Sequence, residues 1–174
     1  MADVNANLWA PWRMDYIRSL GEEQEDGGCF LCRYWADPRR DVENRVVWRG
    51  RTAFVVMNRF PYTNGHLLIA AAEHKGDYDG LSDEELLEMQ RLTRQAVGLL
   101  RETVHAQGFN VGTNIGHCAG AGLPDHIHAH VVPRWVGDTN YMAVLGDTRV
   151  IPDGLDSLYR ELVKNAVTLG IVGQ

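Results

Sequence analysis

No run of about 18 apolar residues, the length a helix needs to cross a bilayer, exists in this chain. Residues 1–7 contain neither a basic stretch nor an apolar core of the kind that opens a secretory signal. Both absences point away from a membrane and toward the cytoplasm. Cysteine is scarce: three residues, an odd number, with two at Cys29 and Cys32, suit a reducing compartment better than a disulfide-stapled secreted domain. Basic residues are in deficit, 17 Lys+Arg against 23 Asp+Glu for a formal net charge of -6, which argues against a general nucleic-acid binder with its basic face. Internal repeats, low-complexity tracts and linkers are missing as well.

What is present suits one soluble globular domain over residues 1–174, 45% hydrophobic and 23% charged. A chain of this length buries roughly 70% of its unfolded surface and needs no disulfide framework. Residues 8–20 form an aromatic-rich arm with Trp9 and Trp12, best suited to packing. Asp37, Pro38, Arg39 and Arg40 read as a surface loop. Short β-branched or aromatic runs at 45–48 and 52–58 flank Arg49-Gly50-Arg51, a hairpin signal, and 65–71 is a third strand. The spacing of Leu86, Met89, Ala96, Leu100 and Val104 predicts a helix over 81–106, opened by a capping box of Ser82 and Glu85. Strands follow at 109–115 and 126–135, then a helix at 155–169 with Asp153 or a polar neighbour at its start and Gly170 at its stop. The order predicts an α+β fold, a mostly antiparallel sheet covered by a long helix and a C-terminal helix.

Seven histidines stand out, three of them within five residues: His126, His128 and His130, alternating with Ile127 and Ala129. In a strand these side chains project from one face, about 7 Å from one to the next. The outer two, roughly 14 Å apart along the backbone, are too far apart to share one ion easily, so distinct roles are expected. Imidazole acts as nucleophile and general acid or base near neutral pH. The preceding stretch, residues 112–122, is rich in glycine and leads into a strand, so it lacks the dinucleotide-fold context. Its backbone N–H groups can still cradle phosphate. Together the loop and the histidine row point to phosphoryl or nucleotidyl transfer. With an acidic chain, attraction for a polyanion must be local, from loop amides, imidazoles and Arg134.

The run His126-Ile127-His128-Ala129-His130-Val131-Val132 resembles the signature of the histidine triad (HIT) superfamily. The similarity extends to residues 58–66, with Asn58, Pro61, Gly65 and His66, and to Asn114, covering 29–136 as the core between an arm (1–28) and a C-terminal extension with its helix (137–174). The flanks, Leu8-Trp9-Ala10-Pro11-Trp12-Arg13 and Pro133-Arg134-Trp135, resemble the bacterial branch with diadenosine tetraphosphate phosphorylases and hydrolases.

The resemblance implies a HIT-like fold and an enzyme, a nucleotidyl hydrolase or transferase cleaving dinucleoside polyphosphates through a covalent nucleotidyl-histidine. It implies His128 as nucleophile, His130 as the phosphate-contacting neighbour that assists proton transfer, His66 beside them, and Asn114 as a donor to phosphate or to the leaving-group oxygen. Asn58 matches a ribose contact and Val56 and Leu68 the walls of a base pocket. Between Gly120 and His126 the sequence departs from the commoner pattern, lacking its Gln and Ser or Thr and carrying one residue more. Backbone amides of Gly120, Ala121, Gly122 and Leu123 are the remaining phosphate donors. Histidine rather than glutamine at 130 weakens a uridylyltransferase reading. Cys29 and Cys32 are half of a tetrahedral thiolate site, and the resemblance completes it with His74 and His126 around a structural zinc; two reduced core cysteines are the plainer alternative. No organic cofactor is implied. The implied partners are a nucleotide such as a diadenosine polyphosphate or AMP, and a second copy in a homodimer. A nucleotide- or zinc-binding regulatory protein with little catalysis is the alternative, against which the intact triad speaks. Cys118, His105 and His117 receive no role.

Overall fold

The computed structural model describes residues 28–139, 151 and 153–172. A short helix α1 (Phe30–Ala36) and a 3-10 turn (Pro38–Arg40) lead into a one-turn helix α2 (Asp41–Asn44). Strands β1 (Val46–Arg49), β2 (Ala53–Met57) and β3 (Leu67–Ala71) follow, then the long helix α3 (Asp83–Val104), strands β4 (Gly108–Thr113) and β5 (His128–Arg134), and helix α4 (Leu155–Thr168). The strands form one sheet in the order β1-β2-β3-β5-β4, every adjacent pair antiparallel. The α+β class, the hairpin and the two principal helices thus stand as the sequence reading had them. The aromatic arm at 8–20 and residues 140–150 of the C-terminal extension lie outside the described residues. Among the described residues no helix is long and apolar enough to cross a membrane.

Helix α3 begins at the expected capping box: Glu85 N–H donates to Ser82 Oγ at 3.3 Å and Ser82 N–H to Glu85 Oε2 at 2.7 Å. It ends where His105 takes a left-handed conformation, φ 51°. Its apolar stripe, Met89, Leu92, Ala96, Leu99 and Leu100, packs on one face of the sheet with Leu158, Tyr159, Leu162 and Ala166 of α4. The opposite face is built by register. Val56 pairs with Leu68 and Leu68 with His130, while Phe54 pairs with Ala70 and Ala70 with His128. Strand alternation puts all six side chains on the same side, where Leu31 of α1 closes a second, smaller apolar cluster over Phe54, Val56, Leu68 and Ala70.

Three local expectations differ. Within the loop expected at 37–40, residues 38–40 form a 3-10 turn with Asp37 at its N-cap and Pro38 at its first position. Helix α4 is capped by Gly154, because the Asp153 carboxylate turns to accept the Gly154 N–H at 2.7 Å instead of capping the helix. Helix α1 has no signature in the sequence, since its seven residues are too few for periodicity and its closing group comes from strand β1. Arg49 donates to the carbonyls of Tyr34 and Trp35 at 2.6 and 2.9 Å, satisfying two orphan groups of the α1 C-terminus, and forms a bidentate pair with Asp41 at 2.9 and 2.6 Å. Its guanidinium carbon lies 5.1 Å from the Trp35 ring centroid. Replacing Arg49 by methionine keeps the apolar stem and removes all four bonds. A loss of about 2 kcal/mol is expected, read as a melting-temperature drop of roughly 4–8 °C for a chain of this size. Lysine lacks the fork, so an unchanged melting temperature for Arg49→Lys would contradict this account of the latch.

Candidate active site and metal centre

Strand β5 opens at His128, so the histidine row is not one continuous series. His128 and His130 share a face with ring centroids 5.0 Å apart. His126 precedes the strand and turns elsewhere, its ring lying against His74. The cause is local: the Ile127 N–H donates to the Lys75 carbonyl at 2.5 Å, and the His126 ring donates from Nε2 to the Ala71 carbonyl at 2.8 Å.

The neutral tautomers follow from partners that can only donate or only accept. His128 Nδ1–H donates to the His126 carbonyl at 2.8 Å, which leaves Nε2 as its unprotonated nitrogen. His66 Nδ1 faces the Tyr62 N–H at 3.2 Å and is therefore an acceptor, so His66 carries its proton on Nε2 and donates to His130 Nδ1 at 2.9 Å. His130 in turn holds its proton on Nε2. A lone pair and an N–H donor thus stand side by side on one sheet face. Tyr62 stacks on the His130 ring at 5.8 Å and 17°.

Burial pushes the pKa of His128 down, and burial together with the nearby His128 pushes His130 from the ordinary 6.5 to about 4. Both rings are neutral at pH 7. Because the folded state resists protonation that the unfolded chain accepts, stability is fully present above pH 6.5 and declines as the pH falls toward 4. Thermal melts across that window should show the decline, and it should flatten in His130→Asn. A wild-type melting temperature that rises on acidification to pH 4.5 would contradict it.

Four side chains of metal-ligating type converge just before the start of this strand. The ligand atoms of Cys29, Cys32, His74 and His126 all lie within 4.8 Å of one another. His126 Nδ1 is 3.1 Å from Cys29 Sγ and 3.4 Å from Cys32 Sγ, and His74 Nδ1 is 3.3 Å from Cys32 Sγ. Two thiols and two imidazoles are the donor set of a tetrahedral soft-metal site. The Ala71 carbonyl fixes His126 with Nδ1 unprotonated toward the sulfurs, which is how an outer group orients a ligating histidine. In its thiol form Cys32 is pushed up to about 11 by burial and by Cys29 beside it, so ionisation needs a neighbouring cation. Lys75, bound through Nζ to Glu85 at 2.7 Å, secures the His74 loop to the start of α3.

The remaining sequence-derived residues divide. Val56 and Leu68 lie buried in the α1-side cluster, two strands and one strand from His130 respectively. Asn58 bonds to His66, with Nδ2 3.2 Å from Nδ1. Asn114 follows β4 and donates to the Gly120 carbonyl at 3.5 Å. The glycine-rich loop turns at Gly116 and Gly120, φ 77° and 81°, around a 3-10 turn at His117–Ala119. The Ala121 N–H points back to the Gly116 carbonyl at 3.4 Å, while Gly122 is exposed and Leu123 packs on the α1-side cluster. Arg134 does not supply a free positive charge: Asp138 neutralises it at 2.5 and 2.7 Å, and in consequence the Asp138 carboxyl is held well below its usual range. Cys118 is exposed in the glycine-rich loop.

The HIT domain family matches residues 39–136. The chain is 34% identical over 169 residues to the AP-4-A phosphorylase of Mycobacterium tuberculosis, spanning 92% of this chain and 84% of that one. It is 26% identical to a zinc-bound histidine triad family protein from Mycobacterium smegmatis, with a TM-score of 0.67 over 84% of this chain and 98% of that one. It shares its fold with a Plasmodium falciparum diadenosine triphosphate hydrolase, TM-score 0.59 at 18% identity over 75% of this chain and 79% of that one. The chain belongs to the HIT domain family.

Proposed function

We propose that this protein is a nucleotidyl hydrolase or transferase that cleaves dinucleoside polyphosphates of the diadenosine tetraphosphate kind through a nucleotidyl-His128 intermediate. The observation that carries the reading is the pair of opposed tautomers on one sheet face, the His128 Nε2 lone pair beside the His130 Nε2–H. His128 Nε2 attacks the α-phosphorus; the P–N bond forms as the P–O bond to the leaving polyphosphate breaks, and the electron pair departs on that oxygen. The His130 N–H hydrogen-bonds the departing oxygen, and the His126 carbonyl stabilises the imidazolium that His128 becomes. Water or inorganic phosphate then attacks phosphorus, the P–N pair returns to His128, and the attacking oxygen's proton passes to solvent or product phosphate. Asn114 and the amides of Gly122 and Leu123 border the phosphate path, while the Gly120 and Ala121 N–H groups expected there are taken by the His117 and Gly116 carbonyls; the base lies beside Val56 and Leu68.

Cys29, Cys32, His74 and His126 would hold a zinc ion, whose contribution is structural: it ties the start of α1 to the residue before β5. The similarity to a zinc-bound family member supports that assignment. A homodimer belongs to the same reading. It is supported by β4, one of the sheet's two edge strands, whose Val111 is exposed; sedimentation should give twice the chain mass.

Incubation with diadenosine tetraphosphate should yield ATP plus AMP without phosphate, or ATP plus ADP with it. Absence of both products, with His128→Ala binding nucleotide as the wild type does, would leave a binding protein and not an enzyme.

A further inference from the structure

We infer that Asn58 is a positioning residue of the active site, one that aims the His130 N–H by fixing the tautomer of His66. The inference rests on the reading of His130 as the group that meets the leaving oxygen. Asn58 and His66 are the first and last residues of the β2–β3 connection, joined by Asn58 N–H donating to the His66 carbonyl at 2.9 Å. The Phe60 N–H donates to Asn58 Oδ1 at 2.9 Å, so the amide cannot flip without setting two donors against each other. Its Nδ2–H therefore faces His66 Nδ1 at 3.2 Å, where the Tyr62 N–H also donates at 3.2 Å. Two donors converge on one nitrogen, which excludes a proton there. The His66 proton is confined to Nε2 and is donated to His130 Nδ1 at 2.9 Å, and the His130 proton is confined to its far nitrogen. One lone pair of Asn58 Oδ1 and one N–H of its Nδ2 are thereby held inside the loop.

The test uses nitrogen-15 histidine spectra of the full chain together with steady-state kinetics on diadenosine tetraphosphate. Wild-type His66 and His130 should both show an unprotonated Nδ1 and a protonated Nε2 at pH 7. Asn58→Asp places an acceptor against His66 Nδ1, so that nitrogen should gain a proton. The kcat should fall by about tenfold to a hundredfold, the usual cost of losing an orienting partner, with KM within about twofold. Two results would overturn the proposal. One is a wild-type spectrum with His66 or His130 protonated on Nδ1, which needs no variant to fold. The other is a KM rise at constant kcat in Asn58→Asp, with a 2′,3′-dideoxyribose substrate penalised by the wild type and not by the variant. The spectra need no substrate, so a wild type that cleaves no dinucleoside polyphosphate sinks the assigned reaction and leaves the tautomer relay to be judged by its spectrum.

Discussion

His128→Ala is expected to lower kcat by about a thousandfold or more while nucleotide binding holds within a few fold. The reason lies in how the ring is held. It is buried to 6% exposure, its Nδ1–H is fixed on the His126 carbonyl, and its pKa is pushed down by burial, so the neutral, attacking form is the resting form at pH 7. No other described imidazole on that face offers an equivalent lone pair. His130 spends its Nδ1 on His66, and His66 spends its own on Tyr62. In the proposed reaction His130→Ala would remove a hydrogen bond to the leaving oxygen and should cost less, about ten- to a hundredfold. Rapid quench with labelled substrate should trap a phosphoramidate on His128. A trapped adduct on any other residue, or His128→Ala turnover within tenfold of wild type, would end the nucleophile assignment.

Much of this site was readable before the fold was known, and the reasons differ by residue. Alternation of His128 and His130 with apolar neighbours fixes a shared strand face irrespective of tertiary context. The capping box of Ser82 and Glu85 is equally local. The departure of His126 from the row was not readable, because it follows from the Lys75 and Ala71 carbonyls, which are far away in sequence. The spent charge of Arg134 depends on where a turn brings Asp138. Helix α1 and its Arg49 latch were hidden for the same reason: the group that closes the helix is fourteen and fifteen residues downstream and belongs to another strand. The Cys29 and Cys32 pair announced half a site, and the fold places His74 and His126 where the family resemblance expected them.

Removing the metal should have two separable effects. Purified protein is expected to carry one zinc per chain, and cobalt substitution should give the visible bands of a tetrahedral thiolate site. Stripping it with a chelator removes a ligand that binds the folded chain. At a metal concentration about a thousandfold above Kd that linkage is worth about 4 kcal/mol, or roughly 8–16 °C in melting temperature at this chain length. His74→Ala is the cleaner variant because His74 is exposed and leaves no core cavity. The second effect is catalytic. His126 would be a ligand through its ring, and its carbonyl is the group that holds His128 Nδ1. Loosening one end should therefore disorient the other, lowering kcat by about tenfold with little change in KM. Zinc added back should restore both in the wild type and neither in Cys32→Ser. An unchanged melting temperature after chelation, with no metal bound at purification, would reduce the four residues to a thiol and imidazole cluster without a metal; a stability loss without a kcat loss would confine the metal to holding α1 in place.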